Sequence, residues 1–290
     1  MTDRAVVVVR AGALTTVQDL GRVGYAHLGV PRSGALDPAA VRLVNRLVGN
    51  PETAAVLETT VDGCALRPRC AVTVAVGGAP CPVRVDGRPA AWGTAVRVPA
   101  GAVLDIGAAT RGLRGYVAIG GGIEVEPVLG SRSTDLLSGL GPPPAAEETV
   151  LPLGPDTAAA AARGAVDAPP WPGPPDELVL PVRLGPRDDW FTAAALRTLV
   201  TRAYRVSSAG NRIGLRLDGP ALERARHGEL ASEGMVLGAV QVPPDGRPVV
   251  FLADHPTTGG YPVVGVVREA DLGRVAQAVP GTPVRFTPVR

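Results

Sequence analysis

The polar residues of this chain that could do chemistry gather in four short, glycine-studded stretches. The first runs from Thr16 through Gln18, Asp19, Gly21 and Arg22, and resumes at Gly29-Val30-Pro31-Arg32-Ser33-Gly34-Ala35-Leu36-Asp37. It sets an amide, two carboxylates, two guanidiniums and the hydroxyls of Thr16 and Ser33 among glycines. Glycine lets backbone N–H groups come close to a ligand, and Arg can clamp a carboxylate or phosphate through two bonds. Such a stretch reads equally as a ligand or partner surface and as structure; Asp37, standing before Pro38, also fits the N-cap of a helix. The second stretch, Gly130-Ser131-Arg132-Ser133-Thr134, has the composition of an anion cradle or of a capping turn ahead of Asp135. The third pairs Ser232-Glu233-Gly234 with Gln241-Val242-Pro243, offering an acid–base carboxylate and an amide; an isolated Glu is more often simply solvated. The fourth, Asp254-His255-Pro256-Thr257-Thr258-Gly259-Gly260-Tyr261-Pro262, follows an apolar strand, where site loops commonly lie. Its bland alternative is a Gly-Gly turn.

Several chemistries are excluded. All 29 basic residues are Arg. The chain therefore has no Schiff-base lysine, no G-x-x-x-x-G-K-[ST] phosphate loop and no lysine to carry biotin covalently. No Gly-x-Ser-x-Gly elbow and no Cys/His nucleophile arrangement occurs. The 3 histidines, His27, His227 and His255, share no metal-ligand spacing, and no metal site is expected. The 3 cysteines, Cys64, Cys70 and Cys81, form no C-x-x-C and read as inert reduced thiols of a cytoplasmic protein. A formal charge of +2, without basic tracts, argues against nucleic acid. No signal peptide and no apolar run of membrane-spanning length is expected.

The elements that must position these residues are mostly strands. With 37 Gly, 30 Pro and 3% aromatics, the 290-residue chain suits short strands and tight turns, a β-rich α+β class. Val6–Arg10 reads as a first strand, followed by a long loop to about Ala35. Asp37-Pro38 starts a helix carrying Val41, Val44, Leu47 and Val48 and stopped by Gly49-Asn50; Pro51 restarts a helical turn toward Leu57. Alternation from Val72 to Ile106, with a hairpin turn at Asp86-Gly87, and a strand at Tyr116–Ile119 give antiparallel β structure. Residues 142–178, with Pro142-Pro143-Pro144, an Ala-rich run at 158–162 and prolines from 169, read as a connection of little core potential between a lobe at 1–141 and a lobe at 179–290. The second lobe is expected to hold strands at 178–184, 213–217, 249–252, 263–267 and 283–286, and helices at 189–200 and 271–278.

In their order these segments resemble a known family: Val17-Gln18-Asp19-Leu20-Gly21-Arg22, Gly29-Val30-Pro31-Arg32-Ser33-Gly34, Leu129-Gly130-Ser131-Arg132-Ser133-Thr134, Ser232-Glu233-Gly234, Gln241-Val242-Pro243 and Thr257-Thr258-Gly259-Gly260-Tyr261-Pro262. The chain resembles the biotin-dependent carboxyltransferase family, also called allophanate hydrolase subunit 2-like, which includes bacterial 5-oxoprolinase subunits. The resemblance covers essentially the whole chain and is weakest across 142–178. It implies a cyclophilin-like β-barrel architecture. It also implies a direct heteromer with a B-subunit-like protein, and an A-subunit-like lactam-utilisation protein that completes the reaction. That reaction is ATP-dependent opening of 5-oxoproline to glutamate, with ATP and Mg²⁺ engaged at the level of the complex. On this view Gln18, Asp19, Arg22, Arg32, Ser33, Ser131, Arg132, Ser133, Thr134, Gln241 and Thr257, Thr258, Gly259, Gly260 and Tyr261 bind substrate or anions. Glu233 and Asp254 are then the acid–base candidates. The alternatives are a carboxyltransferase component of a biotin-dependent urea or amide carboxylase, and a non-catalytic regulatory partner of a B-subunit-like kinase inhibitor. The chain departs from the family's habits in having Arg187 for Gln, His255-Pro256 for Arg-Gln, and Val263 for Lys after Tyr261-Pro262.

Overall fold

A computed structural model describes residues 4–157, 171–226, 228 and 230–289; the Ala-rich run 158–162, Pro169 and His227 lie outside the described residues. The chain divides into two compact units, one of Met1–Arg22, Asp37–Asp135 and Gly139–Pro174, the other of Val23–Leu36, Leu136–Ser138 and Pro175–Arg290. The division is not sequential: the first glycine-rich stretch contributes to both.

The first unit is built from two mainly antiparallel sheets. Six strands run in the order β11 (Val150–Pro152), β1 (Ala5–Arg10), β4 (Cys64–Pro68), β9 (Leu104–Ile106), β6 (Val83–Val85) and β7 (Arg88–Ala90). Five run in the order β2 (Leu14–Gln18), β3 (Val56–Thr60), β10 (Arg114–Ile119), β5 (Val72–Gly78) and β8 (Ala95–Val98). Alternate side chains of both sheets, among them Val6, Val8, Leu66, Ile106, Leu57, Val74, Val117 and Ile119, enter one apolar core. The β6–β7 hairpin turns at Asp86 (φ 47°) and Gly87 (φ 76°), the left-handed pair that a two-residue turn needs. Helix α1 (Pro38–Leu47) packs on β5 and β10, burying Val41, Val44 and Leu47. Its N-cap is Asp37, whose carboxylate accepts from the Ala40 N–H at 3.0 Å.

Three sequence expectations change here. The long loop after β1 contains β2, whose Thr15, Thr16, Val17 and Gln18 are all buried against β3. The helical turn expected from Pro51 is a single turn, closed by Ala54 N–H to Pro51 O at 3.0 Å, and the chain is extended from Val56. Residues 142–178 do contribute core: β11 pairs with β1, Leu151 and Leu153 are buried, and Trp171 lies 5.3 Å from Trp92, ring centre to ring centre.

The second unit carries the barrel. Strands β12 (Leu178–Leu184), β19 (Val263–Val267), β16 (Ala239–Gln241), β17 (Val249–Phe251), β14 (Gly214–Asp218), β13 (Tyr204–Val206) and β20 (Pro283–Pro288) close in that order. Closure removes free sheet edges and comes from the parallel pairing of β12 with β20. Leu178, Leu180 and Val182 alternate into an interior shared with Leu215, Leu217, Val250, Val264 and Phe286. Burial of each such side chain is worth about 1.5–3 kcal/mol. Tyr204 meets Phe286 edge to face at 5.9 Å. The helix expected at 189–200 starts later. A 3₁₀ turn holds Asp188–Trp190, and α2 (Ala193–Thr201) begins after Thr192, whose hydroxyl accepts from Ala195 N–H at 3.0 Å. Helix α3 (Glu269–Val275) and a two-stranded ribbon of β15 (Glu233–Gly234) and β18 (Thr258–Gly259) complete the unit. Mainly β structure, a closed barrel and three described helices agree with the fold class read from the sequence.

Candidate functional site

In the first unit, the Gln18–Arg22 and Ser131–Thr134 stretches meet. The Asp19 carboxylate accepts from Ser131 Oγ, Ser133 Oγ and Arg132 N–H, each at 2.6 Å, and from Gly21 N–H at 2.8 Å. Ser133 Oγ in turn accepts from the Asp19 N–H at 2.9 Å. Gln18 donates from Nε2 to Thr134 O at 2.9 Å and to Thr16 Oγ1 at 3.1 Å, while its Oε1 is buried without a hydrogen-bond partner. Arg22 is 2% exposed and donates from Nη2 to Ser133 O at 2.5 Å. Thus Asp19 occupies the donors of the Ser131–Thr134 turn that an anion would otherwise use. Arg132 points elsewhere, to Glu124 at 2.5 Å and Val125 O at 2.9 Å.

In the second unit, Asp254 is wholly buried and chelated. Its oxygens accept from Arg212 Nε at 2.9 Å and Nη2 at 3.0 Å, from Ser33 Oγ at 2.7 Å and from Leu136 N–H at 3.3 Å. Arg212 is equally buried and also donates to Gly34 O at 2.6 Å. A carboxylate held this way pins the loops carrying Ser33, Gly34 and Leu136 to the barrel; it has no open oxygen with which to exchange a substrate proton. This geometry favours a positioning role for Asp254 over proton exchange. Arg32 lies on the same loop but forms a half-exposed ion pair with Glu269 at 2.7 Å.

Glu233 stands on β15, opposite Gly259 of β18. Arg187 grips both its oxygens, with Nε at 2.9 and 3.0 Å and Nη2 closer still. This hydrogen-bonded guanidinium holds the Glu233 carboxyl below its ordinary value, so the group is an ionised acceptor rather than a proton donor near neutrality. Gln241 donates to Tyr261 O at 3.1 Å. It also lies so close to the ribbon that a Cβ on Gly259 would stand 2.8 Å from its Nε2. Thr257 O receives the Met235 N–H at 2.8 Å, fixing the ribbon's open end. Beyond it, Gly260, Tyr261 and Pro262 border a cavity of 560 Å³ together with Trp190, Arg224 and Pro244. That size suits a small organic ligand.

The polar stretches legible in the sequence thus become an Asp19-centred network in the first unit, and an Asp254 network and a ribbon-side cavity in the second. Sequence reasoning missed Arg212 and Arg224, which stand outside the motif stretches, and it read Trp190 only as an apolar residue of the helix expected at 189–200. It met Arg187 only as a departure. Among the described residues no group of three or more His, Cys, Asp or Glu could hold a metal ion. No described helix is long and apolar enough to cross a membrane.

Comparison with known proteins places this arrangement. Residues 28–288 match the family described as carboxyltransferase domain, subdomain A and B. The chain is 36% identical over 282 residues to the C subunit of the 5-oxoprolinase of Escherichia coli (strain K12), an alignment covering 96% of this chain and 89% of that protein. Among solved structures, the K. lactis urea amidolyase superposes with a TM-score of 0.87 at 31% identity, over 99% of this chain but 19% of that one. The Kluyveromyces lactis urea carboxylase gives a TM-score of 0.86 at 30% identity, over 99% and 27% respectively. The chain therefore spans about a fifth to a quarter of those two enzymes and most of the E. coli protein, and it belongs to the carboxyltransferase domain, subdomain A and B, family.

Proposed function

We propose that this chain is the C subunit of a 5-oxoprolinase, which opens the lactam of 5-oxoproline to glutamate together with A-subunit-like and B-subunit-like proteins. The observation that carries the reading is the likeness to the E. coli C subunit, 36% identical over 282 residues, against 31% identity to the K. lactis urea amidolyase. A lactam carbonyl is a poor electrophile, and transfer of a phosphoryl group to its oxygen supplies a leaving group. The residues present do not fit nucleotide or Mg²⁺ binding by this chain alone: there is no lysine, no phosphate loop and no described acidic cluster. No step through ATP is assigned to it, and ATP and Mg²⁺ enter with the complex.

What this chain supplies is a place for the lactam. The cavity bounded by Trp190, Arg224 and Gly260–Pro262 adjoins the Arg187–Glu233 pair through the β15–β18 ribbon. Glu233, kept ionised by Arg187, serves as a fixed negative acceptor toward an N–H or a water at the ribbon edge.

Carboxyl transfer is the second reading, favoured by the 0.87 TM-score match to the urea amidolyase; the absent lysines permit it, since biotin would arrive on another domain. The test is glutamate release from 5-oxoproline and ATP by this chain with its A-like and B-like partners, each omitted in turn. Glutamate formed only when all three and Mg²⁺ are present supports lactam opening. An assembled complex that forms no glutamate but moves the carboxyl group of carboxybiotin onto the nitrogen of an amide acceptor, giving free biotin and the carboxylated amide, refutes it in favour of carboxyl transfer.

A further inference from the structure

The cavity beside the ribbon is bordered by a guanidinium that pairs with no carboxylate among the described residues. Arg224 donates from Nη2 to Val242 O at 2.8 Å, and its Nε is buried with no hydrogen-bond partner. Among the described residues no carboxylate pairs with it. Asp189 pairs with Arg226 at 2.8 Å and Glu233 with Arg187. The backbone around Arg224 is fixed, because Ala225 N–H donates to Trp190 O at 2.8 Å and Thr192 N–H to Glu223 O at 3.1 Å. Trp190, Leu230, Pro244 and Pro262 give the remaining wall an apolar character. A partly desolvated guanidinium left unpaired costs free energy, and beside a cavity whose lining is about half polar and half apolar it selects an anion, with a planar carboxylate the best geometric match.

We propose that this cavity binds a small cyclic amide that carries a carboxylate, with Arg224 taking the carboxylate and the Trp190, Pro244 and Pro262 surfaces taking the ring. The inference rests on the lactam-opening reading and sharpens it. 5-Oxoproline has the carboxylate that Arg224 requires, and urea has none. Arg224 is thereby the specificity-determining residue of the site, and its charge favours a carboxylate-bearing lactam over a neutral amide there.

The test compares binding of 5-oxoproline and of its carboxylate-free analogue 2-pyrrolidinone to the full chain by calorimetry, for the native protein, Arg224→Gln and Arg224→Lys. The expected result is that 2-pyrrolidinone binds ~10- to 100-fold more weakly than 5-oxoproline, the range for losing a charged hydrogen-bonded contact. Arg224→Gln is expected to erase that difference and Arg224→Lys to restore part of it. Equal affinities for the two lactams, no detectable binding of either at millimolar concentration, or indifference to Arg224→Gln would overturn the inference. Should Arg224→Gln fail to fold, the analogue comparison on the native chain and the Lys variant still decide. Glutamate release by the assembled complex separates the two claims. Turnover with an unchanged KM in Arg224→Gln removes the carboxylate site and leaves lactam opening standing. Carboxylate-dependent binding without turnover does the reverse.

Discussion

Replacing Asp254 with Asn separates a positioning role from a catalytic one. The carboxylate and the Arg212 guanidinium are both fully buried and joined by two bonds at 2.9 and 3.0 Å, and Ser33 Oγ adds a third at 2.7 Å. Asn keeps the shape, removes the charge and turns one acceptor into an NH₂ donor facing other donors. Each hydrogen bond to a charged group contributes ~1.5–3 kcal/mol. Breaking a buried pair by removing one charge costs about 3–5 kcal/mol, because the remaining ion has lost its partner out of reach of water. No discount for solvent screening applies at this depth. Urea unfolding followed by far-UV circular dichroism should therefore show Asp254→Asn destabilised by about 3 kcal/mol or more, with an unchanged m-value. Arg212→Met should cost a similar amount, and the double change Arg212→Met with Asp254→Asn less than the sum of the two. If Asp254→Asn keeps native stability within about 0.5 kcal/mol while glutamate release disappears, Asp254 is a catalytic group and the argument from burial is wrong.

Three further outcomes are expected. Because Arg187 depresses the Glu233 carboxyl, whatever stability the pair contributes is present above the unfolded value near 4.5 and is lost as pH falls through the lower folded value. In a carbon-detected NMR titration, Arg187→Gln should move the Glu233 midpoint up toward 4.5, and an unmoved midpoint would refute the pairing. Burial pushes the Cys64 thiol up to about 12 and Cys81 up to about 11, so alkylation at pH 8 followed by mass spectrometry should leave Cys64 unmodified until the chain is unfolded. Rapid native labelling of Cys64 would contradict its full burial. Asp37→Ala removes the N-cap bond of α1 and should lower stability by about 1 kcal/mol, with Asp37→Ser retaining most of it; equal losses in both would show that the cap bond is not the cause.

The fold was legible where sequence carries its own geometry. Asp37-Pro38 announces α1 because a cap and a fixed φ act within one turn, and Asp86-Gly87 announces a hairpin because both residues tolerate left-handed backbone. Leu178, Leu180 and Val182 announce a barrel strand by period two. What escaped was decided over long range. Strand β2 was hidden by Thr15, Thr16 and Gln18, polar residues buried only because β3 supplies their neighbours. Strand β11 lies in Pro/Ala-rich sequence whose strand character comes from pairing with β1.

The site was legible by composition but not by role, and the reason is charge pairing across sequence distance. The motif stretches contain groups capable of holding an anion, yet the fold spends most of them on one another. Asp19 takes the Ser131, Arg132 and Ser133 donors more than a hundred residues away, and Asp254 takes Arg212 and Ser33. An anion could displace Asp19 from that turn only by leaving a buried carboxylate without its donors, at a cost of several kcal/mol that a small ligand does not recover. With every cation an Arg, planar and permanently charged, recognition falls to whichever guanidinium the fold leaves beside a cavity without an acid. Arg187 and Arg212 each pair with a carboxylate and Arg22 donates to the Ser133 carbonyl, whereas Arg224 borders the open pocket and pairs with no carboxylate among the described residues. For this reason the specificity of the chain should follow Arg224, which no motif marks, more closely than the arginines its motifs display.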